Sequence, residues 1–170
     1  VALGFASVLG RDYGRRALLI ELDFVRPTLS AHLGLTQGNA GAGMAGLIKG
    51  QSTLDEVVHL LGDELFAIPA GRCADRSPHF LGSELVESGL LTRMTRRFGT
   101  VVADLSPALE STVGPSLARA MDHLVMVVRA AETPTNQVQA AISALPAAPV
   151  VLLNATRSDL PRWLRRWSAH

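Results

Sequence analysis

Three carboxylates stand where this chain can do chemistry. Glu21 and Asp23 close the apolar run of ALLIELDFVRP (17–27), and Asp104 closes a second run in TVVADLSP (100–107). An uninterrupted apolar run suits a strand buried on both faces of a parallel sheet. Open parallel sheets bind ligands outside the carboxyl ends of their strands. Two such strands presenting acids at one edge fit a Mg²⁺–nucleotide site, since a hard cation prefers carboxylate, water and phosphate oxygens. No glycine-rich phosphate loop with a lysine precedes the first of these strands. Lys49 is the only lysine, so a phosphate-binding lysine is either Lys49 or lies outside the chain. Lys49 itself reads as a solvated charge near a helix end.

Each acid also has a plainer reading. Asp23 and Asp104 could cap strand ends or pair with arginines, and Glu21 could be a strand-end carboxylate paired with Arg26. Arg26 in turn could face phosphate, a neighbouring subunit or a salt bridge within the fold. Gly41, Gly43 and Gly46 spell G-x-G-x-x-G, but a dinucleotide fingerprint needs a strand immediately before it and an acid about 20 residues later. A loop at 37–40 precedes it here, so that reading is rejected. The five histidines are scattered without metal-ligand spacing. Ser106–Pro107 follows an acid strand but lacks the nucleophile elbow of a hydrolase. Cys73, the single cysteine, excludes an internal disulfide and fits a reducing cytosol.

Positioning these groups takes a sheet with helical crossovers. Apolar runs bounded by turn residues alternate with amphipathic stretches, which predicts α/β architecture with a mostly parallel sheet flanked by helices. The pattern predicts strands at 17–22, 65–68, 100–103, 123–128 and 150–153. Helices are expected at 2–9, 28–33, 83–98, 112–121 and 135–145, with a short pair across 43–61. A last helix at 161–167 places Trp163, Leu164 and Trp167 on one face, either packed on the sheet or laid on an anionic membrane surface. The 170 residues suit one domain, and 48% hydrophobic residues suffice for a sizeable core. A net charge of +1 gives no broad electrostatic case for nucleic acid. No apolar stretch reaches the roughly 18 residues of a membrane span, and no secretory signal is visible.

The same motifs, in order, resemble the bacterial tyrosine kinases of capsule and exopolysaccharide synthesis, within the MinD/ParA-like P-loop ATPases. LLIELDFVRP (18–27) is similar to the family's LLIDADLRRP without gaps. FAIPAG (66–71) is similar to VLPAG, VVADLSP (101–107) to VIIDTPP, MVVRA (126–130) to VVRAG and VLLN (151–154) to VLN. The likeness runs over residues 1–157. It implies a P-loop fold of which residues 1–170 form a single domain, N-terminally truncated and lacking the first strand and the phosphate loop; residues upstream of Val1 would supply them.

By this resemblance Asp104 is the Walker B acid that holds Mg²⁺ through water. Asp23 and Glu21 are the second acidic pair, Asp23 shared with the metal and both serving catalysis. Asn154 reads the adenine edge. The cofactors implied are ATP and Mg²⁺. The implied partner is a membrane-embedded polysaccharide co-polymerase or its cytoplasmic tail, with homo-oligomers and no nucleic acid. The implied place is the cytoplasm, at the inner face of the bacterial cell membrane. Departures from the family pattern are Glu21 for its usual Asp, SPHFLGS (77–83) for its NP-x-ELL-x-S, and Tyr13 as the sole tyrosine. They keep two alternatives open: a MinD/ParA-like ATPase switch, and a non-catalytic adaptor that retains the fold.

Overall fold

The computed structural model describes residues 1–11, 14, 16–34, 43–62, 64–73 and 77–155. The element that organises it is β1 (Ala17–Glu21), whose residues are all buried. Leu18, Leu19 and Ile20 each expose 1% or less. Successive strand residues point to opposite faces, and β1 accordingly feeds two cores. Leu18 and Ile20 join a large cluster with Met44, Ile68, Leu81, Met94 and Leu117. Ala17 and Leu19 join a smaller one with Ala6, Leu29, Leu65 and Ala67. Each large apolar side chain taken fully from water contributes about 1.5–3 kcal/mol, so this short strand anchors both layers.

β1 is central in a four-stranded sheet of order β2-β3-β1-β4, formed with β2 (His59–Gly62), β3 (Leu65–Ile68) and β4 (Thr100–Asp104). It runs parallel to β3 and to β4. The β1–β4 register places Glu21 opposite Asp104, so the two acid-tipped strands end level. A second sheet holds β5 (Val125–Arg129) and β6 (Val150–Asn154), also parallel. The outer edges of β4 and β5 pair with no described strand. On the β5–β6 pair, Val125, Val127, Val150 and Leu152 share one face and stay exposed.

Helix α1 (Ala2–Arg11) covers the Leu19 face, where Ala6 and Gly10 are buried and their small size permits close approach. The opposite face is covered by α5 (Pro78–Glu87), α6 (Leu90–Phe98) and α7 (Val113–Ala118), numbered after three short helices. Those three are α2 (Leu29–His32), α3 (Met44–Ile48) and α4 (Leu54–Val57). Helix α8 (Thr135–Ala144) connects β5 to β6.

Three expectations from sequence change. The stretch 83–98 is not one helix but α5 and α6, broken at Gly89, whose φ of 65° suits glycine. α5 starts earlier than expected because Ser77 accepts a hydrogen bond from the Phe80 N–H (3.2 Å) and Pro78 follows at the first turn. Residues 59–62, expected within a helical pair, form β2, antiparallel to β3. The predicted helix at 161–167 lies outside the described residues, as do Tyr13 and Gly41.

Candidate functional site

The parallel register brings the acids to one edge. Beyond the last β1–β4 pair, the Leu22 N–H donates to the Asp104 carbonyl at 2.8 Å, which extends the ladder and carries Asp23 past the strand tips. Asp23 Oδ1 accepts from the N–H groups of Val25 and Arg26, each at 3.1 Å. An aspartate bonded to the backbone two and three residues on folds its own turn. The described residues engage Oδ1 alone, so Oδ2 is available to a ligand.

Asp104 is the acid most in need of a cation. Its carboxyl is raised from the ordinary value of 3.8, first by withdrawal from water and next by the negative charge of Glu21. The charge of Asp23 adds a smaller push upward. The residue as a whole keeps solvent access, so this withdrawal reflects dense packing on its protein side rather than enclosure. Its carboxylate accepts no hydrogen bond from the described residues. Asp104 therefore combines crowded negative charge with open access.

Glu21 differs. It is 1% exposed, and both its oxygens are taken by backbone. Oε1 accepts from Thr28 N–H (2.6 Å) and Leu29 N–H (2.8 Å), and Oε2 from Ala70 N–H (3.0 Å). The pairing of Glu21 with Arg26, considered from sequence, is not formed. Arg26 bridges instead to Glu110, tying the loop after β1 to the loop after β4. Both partners are more than half exposed, where an ion pair contributes about 0–1 kcal/mol.

Asn154 ends β6 in register with Arg129 and is exposed. Its carbonyl accepts from Ala130 N–H at 2.8 Å. It lies at a carboxyl strand end, but in the two-stranded sheet.

The glycine-rich segment is built for packing. A Cβ on Gly43 would stand 2.4 Å from the Pro69 carbonyl and 2.6 Å from the Gly71 nitrogen. The first α3 amides are spent on protein: Met44 N–H donates to Pro69 O (2.8 Å) and Ala45 N–H to Ala70 O (2.9 Å). Cys73 is half-buried and burial raises its thiol, with the Lys49 charge acting the other way, so thiolate reactivity is not favoured.

Sequence reasoning missed Glu110 and the Ala70 amide, and weighed Ser106 only as a hydrolase nucleophile. Ser106 Oγ is buried without a hydrogen-bond partner among the described residues. Gly114 packs on it so closely that a Cβ would stand 2.6 Å from the Ser106 carbonyl. The SP after the acid strand marked Ser106 in sequence, whereas Glu110 and Ala70 acquire partners only through long-range folding.

Among the described residues no three His, Cys, Asp or Glu side chains converge as a metal-binding set. Two carboxylates fit Mg²⁺ nonetheless, because that ion commonly takes one or two carboxylates and completes its shell with water and phosphate oxygens. Asp23 and Asp104 would supply such a pair.

Neither the family models nor the curated proteins contain a match to this chain. Solved structures do. The kinase domain of VpsO superposes with a TM-score of 0.76 at 24% identity, over 92% of this chain and 75% of that one. The kinase domain of the Escherichia coli tyrosine kinase ETK gives 0.81 at 17% identity, over 95% and 65%. The Pyrococcus furiosus cell division ATPase MinD gives 0.67 at 17% identity, over 95% and 70%. The fold is that of bacterial tyrosine-kinase domains and MinD-like ATPases. The α/β class and the mostly parallel sheet expected from sequence follow directly from it.

Proposed function

We propose that this chain belongs to an ATP-dependent tyrosine-kinase-like domain that regulates exopolysaccharide or capsule polymerisation and export. One observation carries the reading: neighbouring parallel strands end level, with Asp104 crowded by negative charge and Asp23 offering a free oxygen beside it. Asp104 and Asp23 hold Mg²⁺ through water, and Asp23 also orients the acceptor hydroxyl. Mg²⁺ bound to β- and γ-phosphate oxygens neutralises charge that builds during phosphoryl transfer. Asn154 meets the base, because an amide offers a donor and an acceptor side by side.

A phosphate loop upstream of α1 completes the site in this reading. Its support is the outer edges of β4 and β5, which pair with no described strand, and the packing of α1 against β1 and β4. The partner in this proposal is a membrane-embedded polysaccharide co-polymerase or its cytoplasmic tail, met at the inner face of the cell membrane by a homo-oligomer. Among the described residues no helix is long and apolar enough to cross a membrane.

A second reading, the non-catalytic adaptor, is favoured by the commitment of Glu21 to backbone. ATP turnover by the full-length protein separates the two. The kinase reading predicts Mg²⁺-dependent turnover that Asp104→Asn abolishes. Turnover unchanged in Asp104→Asn removes Asp104 from the site, and no turnover in the wild type favours the adaptor.

A further inference from the structure

Glu21 stands among the crevice acids, yet its carboxylate is spent. A carboxylate only accepts hydrogen bonds, and three backbone N–H groups between 2.6 and 3.0 Å occupy both of its oxygens. With 1% of the residue exposed, no face of it is presented to a ligand. We propose that Glu21 is a positioning residue, clamping three segments to the sheet edge so that Asp23 and Asp104 meet a fixed wall, and that it touches neither metal nor phosphate.

The clamped segments are identifiable. Thr28 and Leu29 begin α2 and close the far end of the loop that carries Asp23. Ala70 follows β3, beyond the last β1–β3 pair at Ile20 and Ile68. Its N–H has no ladder partner there, and the Glu21 side chain replaces one. The same residue's carbonyl accepts from Ala45 N–H, and Gly43 presses against Pro69 and Gly71, so α3 is held through Ala70. One side chain at the end of β1 therefore joins the α2 start and the β3 exit directly, and the α3 start through Ala70. The site also explains the residue type. Reaching an amide beyond the neighbouring ladder takes length, and aspartate is one methylene shorter.

Amide hydrogen exchange on the full-length protein tests the clamp without any variant. The Ala70 amide, outside the ladder, must be protected to the level of Ile68; exchange at the rate of an open loop overturns the proposal. In Glu21→Asp, which keeps the charge but not the reach, exchange at Thr28, Leu29 and Ala70 should quicken about tenfold or more, the scale of losing a bond to a charged acceptor. In Glu21→Gln, which keeps the length, Ala70 should quicken while Thr28 and Leu29 retain part of their protection. Unchanged exchange at all three amides in both variants overturns the clamp.

A second arm rests on the kinase-like reading. Both variants should lower kcat yet leave the Mg²⁺ concentration for half-activation within about twofold of wild type, since uniform losses in positioning do not alter a metal site that is not touched. A direct ligand behaves otherwise: Glu21→Asp stays near wild type and Glu21→Gln raises the Mg²⁺ requirement at least tenfold, a result that also overturns the proposal. Absence of turnover in the wild type defeats the kinase-like reading alone, and the exchange measurements then decide the clamp.

Discussion

Asp104 bears a charge that its surroundings disfavour. Its carboxyl is raised in the folded state, through withdrawal from water and then the charge of Glu21, so the folded chain binds its proton more tightly than the unfolded one. Stability from this group is therefore complete below the unfolded value and is lost as pH rises through the raised one. Asp104→Asn should melt higher than wild type at pH 7, and the advantage should shrink toward zero on acidification to about pH 3.5. Thermal melts across that range check this; an advantage independent of pH contradicts it. The two aspartates were legible in sequence because acid at the end of a buried run marks a strand tip. The commitment of Glu21 was not, because its donors lie 7, 8 and 49 residues away and only folding brings Ala70 to it.

At the scale of elements, legibility followed burial. β1 and β4 read clearly because burial on both faces leaves an apolar run without alternation. The helical stretch at 83–98 read as continuous because Gly89 is tolerated in a helical pattern, while here it adopts positive φ and splits the stretch. α6 then buries Leu90, Met94 and Phe98, spaced four apart, and turns Arg93, Arg96 and Arg97 outward. β2 escaped notice because a short strand with alternate residues half-buried carries little pattern. The α5 start was signalled by Ser77 and Pro78 but obscured by reading 77–83 as a diverged motif. Ser77→Ala removes the cap on the Phe80 amide and should cost about 1 kcal/mol. Denaturant melts should show a lower midpoint with an unchanged slope; an unchanged midpoint would mean that the cap contributes nothing.

For the whole molecule, the sheet is a scaffold that aims strand ends. The β1–β4 register levels Glu21 with Asp104, and the layout assigns the three acids different work: Glu21 holds backbone, while Asp23 and Asp104 stay open to a cation. The fold is shared with tyrosine-kinase domains and MinD, and the proposed function reads that edge as a nucleotide site. Asn154 belongs to the β5–β6 sheet, and a strand between β4 and β5 would join its edge to theirs. Calorimetric titration of the full-length protein with ATP, with and without Mg²⁺, tests the central claim most directly. The account predicts micromolar Mg·ATP binding that is lost in the Asp23→Asn, Asp104→Asn double variant and weakened without Mg²⁺. Equal affinity in the double variant, or affinity indifferent to Mg²⁺, would contradict it.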